Sequence, residues 1–395
     1  AKLDSLINAK DKVPFKIFDK KNAEKLFGKN LNISASQLEK FNLCRFSYFC
    51  NYGLNVRERQ RAEINPMQYG TIVHYILERF FGEYTKEEYL SLEEDKFQKI
   101  VCAYLTEYAV KYFGEEQLES NSFTYRLKTI LDNVMYLMKH IMEELSQSEF
   151  FVADCELKIG EDIPSYTIVL PDGHKIAVCG SVDRVDIMQR ADITYFRIID
   201  YKTGTKQFKL SDILYGINLQ MLLYLHSIEV SGGDKYGEIV PAGILYMPAT
   251  VPYISSDSLK SIDKLPDELN KKLKMNGLLL KDTEIIHGMD KTDVATYIPV
   301  KIKAGEPVSS TSLATLAEFG KIFKKVDMLI AEMGKNIYNG NIEAKPLKGG
   351  HDSCEYCPYD SVCAYRQSNP ITCFSVDNKT VIEEITNEIN GKEEE

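Results

Sequence analysis

Two carboxylates and a lysine near the middle of the chain have the types and order that metal-assisted phosphodiester chemistry requires. They stand in Gly180-Ser181-Val182-Asp183-Arg184-Val185-Asp186 and in Ile198-Ile199-Asp200-Tyr201-Lys202-Thr203-Gly204. Carboxylates from two segments can hold a hard divalent cation, and an ammonium beside them can orient and help deprotonate a water. Tyr195–Lys202 is rich in β-branched and aromatic residues and ends at Thr203-Gly204, so it reads as a strand running into a turn. Residues i and i+2 share a strand face, which points Asp200 and Lys202 one way and Tyr201 the other. Tyr201 still offers its backbone carbonyl to a cation. Lys175–Gly180 leads into a neighbouring strand region, 181–188, that carries Asp183. An isolated Asp-x-Lys is more often a surface ion pair than a catalytic one. The acid upstream and two further segments weigh against that reading here.

The first of these segments is Gly70–Phe80. Ile72, Val73, Ile76, Leu77 and Phe80 recur at helical spacing, which gives an amphipathic helix with His74 near its start. His74 becomes a ligand only where this helix packs beside the Asp183 and Asp200 strands. The second holds Gln220 and Tyr224, which are i and i+4 in an apolar helix expected over about 213–228 and so share a face. That face can meet the site or merely solvent. In this order the four segments resemble the RecB-like branch of the PD-(D/E)xK nuclease superfamily, recognised by a helix His, Gly-x-x-Asp-Arg-x-Asp, Asp-x-Lys and a following Gln-x-x-x-Tyr. The resemblance implies an α/β restriction-endonuclease-like core, a central mixed sheet flanked by helices. It also implies that His74, Asp183 and Asp200, with the carbonyl of Tyr201, bind Mg²⁺ or Mn²⁺. Lys202 would activate or position water, and Gln220 and Tyr224 would support the site and contact DNA.

Nine cysteines narrow the match: Cys44, Cys50, Cys102, Cys155, Cys179, Cys354, Cys357, Cys363 and Cys373. No charged-then-apolar leader opens the sequence and no run of about 18 apolar residues occurs. A cytoplasmic, reducing compartment is therefore expected, without a disulfide framework. Cys354, Cys357 and Cys363 then read as a metal or cluster site lacking one ligand, and spacing alone leaves zinc and an iron–sulfur cluster equally open. Upstream, Ser36 and Glu39 are expected to form a capping box that starts a helix before Cys44. This segment resembles the start of the nuclease domain in the AddB family, the second subunits of bacterial AddAB helicase–nucleases. Asn51–Arg59 fits the family as well. There a Cys-Pro-Phe follows the capped helix; here Arg45 replaces the proline and Cys44 is kept. The resemblance implies a 4Fe–4S cluster on Cys44, Cys354, Cys357 and Cys363, clamping both ends of the domain. Cross-linking so long a loop is worth about 5 kcal/mol in the chain-entropy account. Cys50 is the competing ligand. Cys102, Cys155 and Cys179 fall in apolar periodic segments and are expected to be buried small hydrophobes.

The chain has 395 residues, 44% hydrophobic and 27% charged, an ordinary globular composition that fills one large core or two smaller ones. Its net charge of −10 is the wrong sign for gripping DNA over the whole surface, though local patches can still do so. Arg57, Arg59 and Arg61, and Lys321, Lys324 and Lys325, are candidate phosphate contacts. No Gly-x-x-x-x-Gly-Lys-[Ser/Thr] loop occurs, so ATP hydrolysis is not expected. Residues 1–33 read as a lead-in from an upstream domain and 34–150 as a helical part carrying Cys44 and His74. The nuclease core follows at 150–250, beginning with a strand whose Glu156 can support a cation. Next come an insertion and long helix at 250–340, the cysteine segment at 340–373, and an acidic, partly disordered tail at 374–395. The resemblance covers about 30–370 and matches the C-terminal part of AddB, and the sequence opens on Ala1, so a domain taken from a longer protein is expected. The family implies action on a single strand from unwound duplex, or on duplex ends, beside an AddA-type helicase–nuclease subunit, in double-strand-break repair. Two other readings share these residues: an iron–sulfur-stapled DNA-end clamp with little nuclease activity, and a stand-alone CRISPR-associated RecB-like nuclease.

Overall fold

The computed structural model describes residues 16–57, 66–204, 206–252, 254, 265–292, 295–309, 311–363, 365 and 370–393. The early strands are β1 (Asn30–Ile33), β2 (Phe151–Ile159), β3 (Thr167–Val169), β4 (Lys175–Val178), β5 (Gly180–Arg190) and β6 (Ile193–Lys202). The later ones are β7 (Glu238–Pro248), β8 (Asn276–Leu280), β9 (Lys301–Lys303), β10 (Glu306–Val308), β11 (Leu313–Ala314), β12 (Leu347–Gly349) and β13 (Ile371–Cys373). Six of them form the central sheet in the order β11-β8-β7-β6-β5-β2. The sheet is mixed: β6 runs parallel to β7 and β8 to β11, while β2–β5, β5–β6 and β7–β8 are antiparallel. β6 and β7 lie at its centre and are buried on both faces, which is why Ile198-Ile199 and Ala242–Met247 read as near-continuous apolar runs. The fold class is the α/β arrangement expected.

Helices flank this sheet. Pro66–Glu83, which carries His74, packs on β2 and β6, with Glu94–Phe113 and Asn121–Gln147 stacked beyond it. Gln220–Ser231 crosses from β6 to β7 and packs against Leu316–Tyr338. Residues 250–340 supply β8 and β11 to the sheet before that long helix. β1 of the lead-in pairs in parallel with β4.

Several local expectations change. The capping box before Cys44 is Ser34 with Gln37, one turn geometry satisfied by either pair, and Glu39 instead accepts from Leu219 N at 2.9 Å. The apolar stretch expected as one helix over 213–228 is split. A 3-10 turn over Leu210–Tyr215 ends at left-handed Gly216, Asn218 also has positive φ, and the α-helix starts at Gln220. The acidic tail is a helix, Asn378–Glu393, whose Val381, Ile385 and Ile389 are buried. Cys102 is exposed on its helix, while Cys155 and Cys179 are half-buried.

His226 joins the layers on the side away from the acids. Its ring stacks on Phe323 at 4.7 Å and meets Tyr166 edge-on at 4.9 Å. Its nitrogens lie 3.2 Å from Glu229 and 3.1 Å from Asp327, and Tyr166 donates to the same Asp327 oxygen at 2.7 Å. Burial opposes the imidazolium, but the two carboxylates outweigh it and raise the pKa from 6.5 to about 9. A folded-state pKa above the unfolded one stabilises fully below pH 6.5, and this contribution is lost as pH rises through 9. Urea midpoints measured from neutral to alkaline pH should therefore fall over that interval, and His226→Gln should flatten the fall. An unchanged slope in the variant would assign it to other groups.

Candidate active site

The β5–β6 register, Arg184 opposite Ile199, brings Asp183 and Asp200 together where the two strands part from one another. Asp183 accepts a hydrogen bond from Tyr201 N at 3.0 Å and lies 3.6 Å from His74 Nδ1. That same nitrogen is 3.2 Å from Glu156 Oε1, and His74 Nε2 is 3.4 Å from the carbonyl of Tyr201. Ser181 donates to the other Glu156 oxygen at 2.7 Å. His74, Glu156 and Asp183 each offer a ligand atom within 4.8 Å of the others, a possible acidic metal site. Asp200 is 2% exposed, and Lys202 Nζ lies 2.5 Å from its Oδ2. The structure thus gathers His74, Asp183, Asp200, Lys202 and the Tyr201 backbone. It also moves Glu156, expected only as support, into the innermost group.

The electrostatics are those of a site short of positive charge. Burial, and then Asp200, push the Asp183 carboxyl up. Burial works against both charged forms in the His74–Glu156 pair, yet their contact raises the imidazole and lowers the Glu156 carboxyl. A hard divalent cation would relieve the repulsion among three acids, and the oxygen-rich donor set with one imidazole fits such an ion. Glu156 also has φ +51°, left-handed backbone inside a strand, which costs on the order of 1–3 kcal/mol. A bulge between Val152 and Asp154 shifts the β2–β5 register just upstream, so that Glu156 comes opposite Asp183.

His74, Glu156, Tyr201 and Lys202 line an open cleft of about 710 Å³ whose other lining includes Tyr75, Tyr108, Tyr112 and Lys206, with Asp183 and Asp200 just beneath. The three tyrosine rings form a row, with centroids 5.2 and 4.4 Å apart, and Tyr112 is 57% exposed. Tyr224 reaches the site from behind: a Cβ added at Gly180 would fall 2.2 Å from its hydroxyl oxygen. The glycine of Gly-x-x-Asp is therefore the space this ring fills. Burial, reinforced by acids including Asp183 and Asp200, pushes the Tyr224 hydroxyl up to about 12. Gln220 sits half-buried at the first position of the helix, one turn before Tyr224.

Comparison with known proteins agrees with this geometry. Residues 32–364 match the family described as the PD-(D/E)XK nuclease superfamily. The chain belongs to that superfamily. Its relatives include a subunit of the ATP-dependent helicase/deoxyribonuclease of Clostridium kluyveri (strain NBRC 12016), 35% identical over 96% of this chain and 34% of that protein. The protein of the same name from Thermoanaerobacter sp. (strain X514) is 34% identical over 87% of this chain and 30% of its own length. The chain thus spans about a third of the length of the curated relatives it matches.

Beneath the superfamily's acids lies a feature that sequence reading missed. Glu144, Arg184, Asp186 and Arg197 form a fully buried quartet. Arg184 Nη2 donates to Asp186 at 2.9 Å and to Glu144 at 3.4 Å. Arg197 donates to Asp186 at 3.0 Å and to Glu144 at 2.6 Å. Arg184 also donates to the Tyr201 hydroxyl at 3.1 Å, and so braces the residue whose backbone touches both His74 and Asp183. A charged residue in the strand patterns of β5 and β6 was the only signal available.

A second constellation lies outside the cleft. Cys44, Cys354, Cys357 and Cys363 line one small cavity of about 150 Å³. Burial raises the Cys44 thiol, opposed by the backbone N–H groups of Ser47, Phe46 and Lys345 directed at its sulfur. Among the described residues no three cysteine sulfurs lie within 4.8 Å of one another. Cys50 packs in the same cluster without lining the cavity. Of the candidate phosphate contacts, Arg57 is exposed, while Arg59 and Arg61 lie outside the described residues. Lys325 is buried and paired with Glu388 at 2.5 Å, because the tail helix covers it. Lys321 and Lys324 share its helix. Among the described residues, no helix is long and apolar enough to cross a membrane.

The quartet makes one consequence measurable. Glu144→Ala leaves two buried guanidiniums short of a carboxylate, which should cost about 3–5 kcal/mol of stability. A loss in denaturation below about 1 kcal/mol would show that water or a shifted partner compensates.

Proposed function

We propose that this chain is the DNA-cutting part of a bacterial, cytoplasmic helicase–nuclease, a Mg²⁺- or Mn²⁺-dependent deoxyribonuclease acting with an AddA-type subunit in double-strand-break repair. The observation that carries the reading is the convergence of His74, Glu156 and Asp183 beside the Asp200–Lys202 pair at one open cleft. His74, Asp183 and Asp200 hold the cation, with Glu156 and the Tyr201 carbonyl completing its surroundings. The cation supplies Lewis acidity and neutralises charge on the phosphoryl oxygens. Lys202 donates from Nζ to the attacking water or the scissile phosphate, with Asp200 fixing its position. Tyr224 and Gln220 support Asp183 and border the DNA. The tyrosine row gives unstacked bases a surface, which favours a single strand over duplex.

The four cysteines are proposed to hold a 4Fe–4S cluster that ties the Cys44 segment to the C-terminal segment. The support is the one cavity that all four cysteines line. The names of the relatives favour a nuclease over a DNA-end clamp.

End-labelled single-stranded DNA with Mg²⁺ tests the site. Lys202→Ala should lower cutting by about 10²- to 10⁴-fold with an unchanged melting temperature. Cutting that survives would overturn the assignment of Lys202, and a chain inert in every metal would favour the clamp. Cys44→Ala tests the cluster: anaerobically purified protein should contain iron and absorb visible light, and the variant should lose both and melt earlier. Stoichiometric zinc in place of iron would reject the cluster.

A further inference from the structure

The cleft holds a second ammonium that the chemistry at Lys202 does not use. Lys206 Nζ lies 5.2 Å from the centre of the Tyr246 ring, and Lys202 Nζ lies 5.7 Å from the same ring. Tyr246 is 1% exposed and stands beside Asp200 in the β6–β7 register, so this ring is a fixed floor for both lysines. The main chain at Lys206 is pinned as well. Asn276 at the start of β8 donates to the Lys206 carbonyl at 3.3 Å and accepts from Phe208 N at 2.8 Å. The position of Lys206 is thus set by the sheet, although its segment is irregular.

Charge distinguishes Lys206 from its neighbours. Lys202 is paired with Asp200, and Lys158 on the cleft wall is paired with Glu161 at 3.2 Å. Among the described residues no carboxylate stands within ion-pair distance of Lys206. Burial lowers its pKa; Glu39 is the next influence and raises it, Lys202 lowers it, and Asp200 and Asp212 raise it more weakly. A half-buried ammonium without a counter-ion is costly, and in a chain of net charge −10 it marks a place where an anion is expected from outside. A nucleic-acid strand presents its anion again one nucleotide on. Two ammoniums within 5.7 Å of one ring centre, one of them held against Asp200 and the other free of an ion-paired carboxylate among the described residues, can meet two phosphates of one strand.

We propose that Lys206 binds the backbone phosphate adjacent to the scissile one, leaving Lys202 to the scissile phosphate. This rests on the nuclease reading and adds a substrate-binding residue outside the acid–lysine group. The contact makes the enzyme's grip depend on a polymer rather than on one phosphodiester. It also gives an acidic chain a point of local attachment to DNA.

The test crosses a variant with a substrate. Short single-stranded oligonucleotides with mapped cut positions carry a neutral methylphosphonate at each linkage flanking the cut, one at a time. Lys206→Gln should raise KM about tenfold on all-phosphate DNA with kcat changed less than about threefold, a loss typical of one charged contact. One flanking methylphosphonate should cost the wild type a similar factor. Combining the two should cost no more than either alone, and Lys206→Arg should restore most of the grip. Additive losses would overturn the proposal, because Lys206 would then act elsewhere. A loss in kcat alone would also overturn it and move Lys206 to the scissile phosphate. A Lys206→Gln protein with a lowered melting temperature is read through the Lys206→Arg and methylphosphonate arms, which do not depend on it. A wild-type chain that cuts none of these substrates with any divalent cation fails the nuclease reading itself, which is a different result from additivity.

Discussion

Asp183, Asp200 and Glu156 repel one another, and much of the surrounding fold serves to hold them together. Left to themselves, three carboxylates this close would separate or take up protons. Strand register sets the first two side by side, since Asp183 and Asp200 lie one step beyond the last paired residues of β5 and β6. The helix Pro66–Glu83 brings His74 over them. The backbone of Tyr201 then donates to Asp183 and offers its carbonyl to His74. Glu156 reaches the group only through strained backbone. Strain of this kind persists where neighbouring structure over-determines it, and here Ser181 and His74 clamp both oxygens of its carboxylate.

The buried quartet explains why Tyr201 can bear this load. Two guanidiniums and two carboxylates cancel in charge, and each partner is locked by the others. Replacing such a group with apolar residues is often neutral for stability, so stability alone does not account for it. What it supplies is direction: Arg184 is held by Asp186 and Glu144 while donating to the Tyr201 hydroxyl. Glu144 comes from the long helix Asn121–Gln147, so the helical layer is tied to the sheet directly below the acids. A similar economy ties the cysteine segment to the core. β12 and β13 pair there, Leu347 and Cys373 pack on Ile217, and Phe374 N donates to Tyr215. The stretch between Lys202 and Gln220 is thereby held from the C-terminal side.

Periodicity placed the acids, the lysine and the helix histidine on their elements, and the resemblance supplied the roles expected of them. Alternation fixes which strand residues share a face, and 3.6-residue spacing shows which side of the His74 helix is apolar. Tertiary partners carry no such period. Nothing in the sequence singles out Glu144 and Arg197, and only packing makes them a buried network. Glu156 was half-visible, since alternation marked its strand but nothing marked a left-handed residue. The capping box was displaced by two positions because Ser-x-x-Gln and Ser-x-x-Glu overlap in Ser34–Glu39 and satisfy the same rule. The break before Gln220 had a signal in Gly216 and Asn218, which apolar flanks concealed.

Net charge argues against gripping DNA over the whole surface, and the cleft arranges its charges differently from the rest of the chain. The acidity is spread over helices and the tail, whereas the cleft concentrates Lys202, Lys206 and Lys158 beside acids fitted to a cation. A phosphate approaching the cleft meets the local field of those ammoniums and of any bound ion, not the average of the chain. The surrounding negative charge has a use of its own. On the proposed reading it would disfavour duplex elsewhere and leave attachment to a strand that can enter the cleft beside exposed Tyr112. On that same reading, which strand is cut would be decided by the width and charge of the cleft around Lys202 and Lys206.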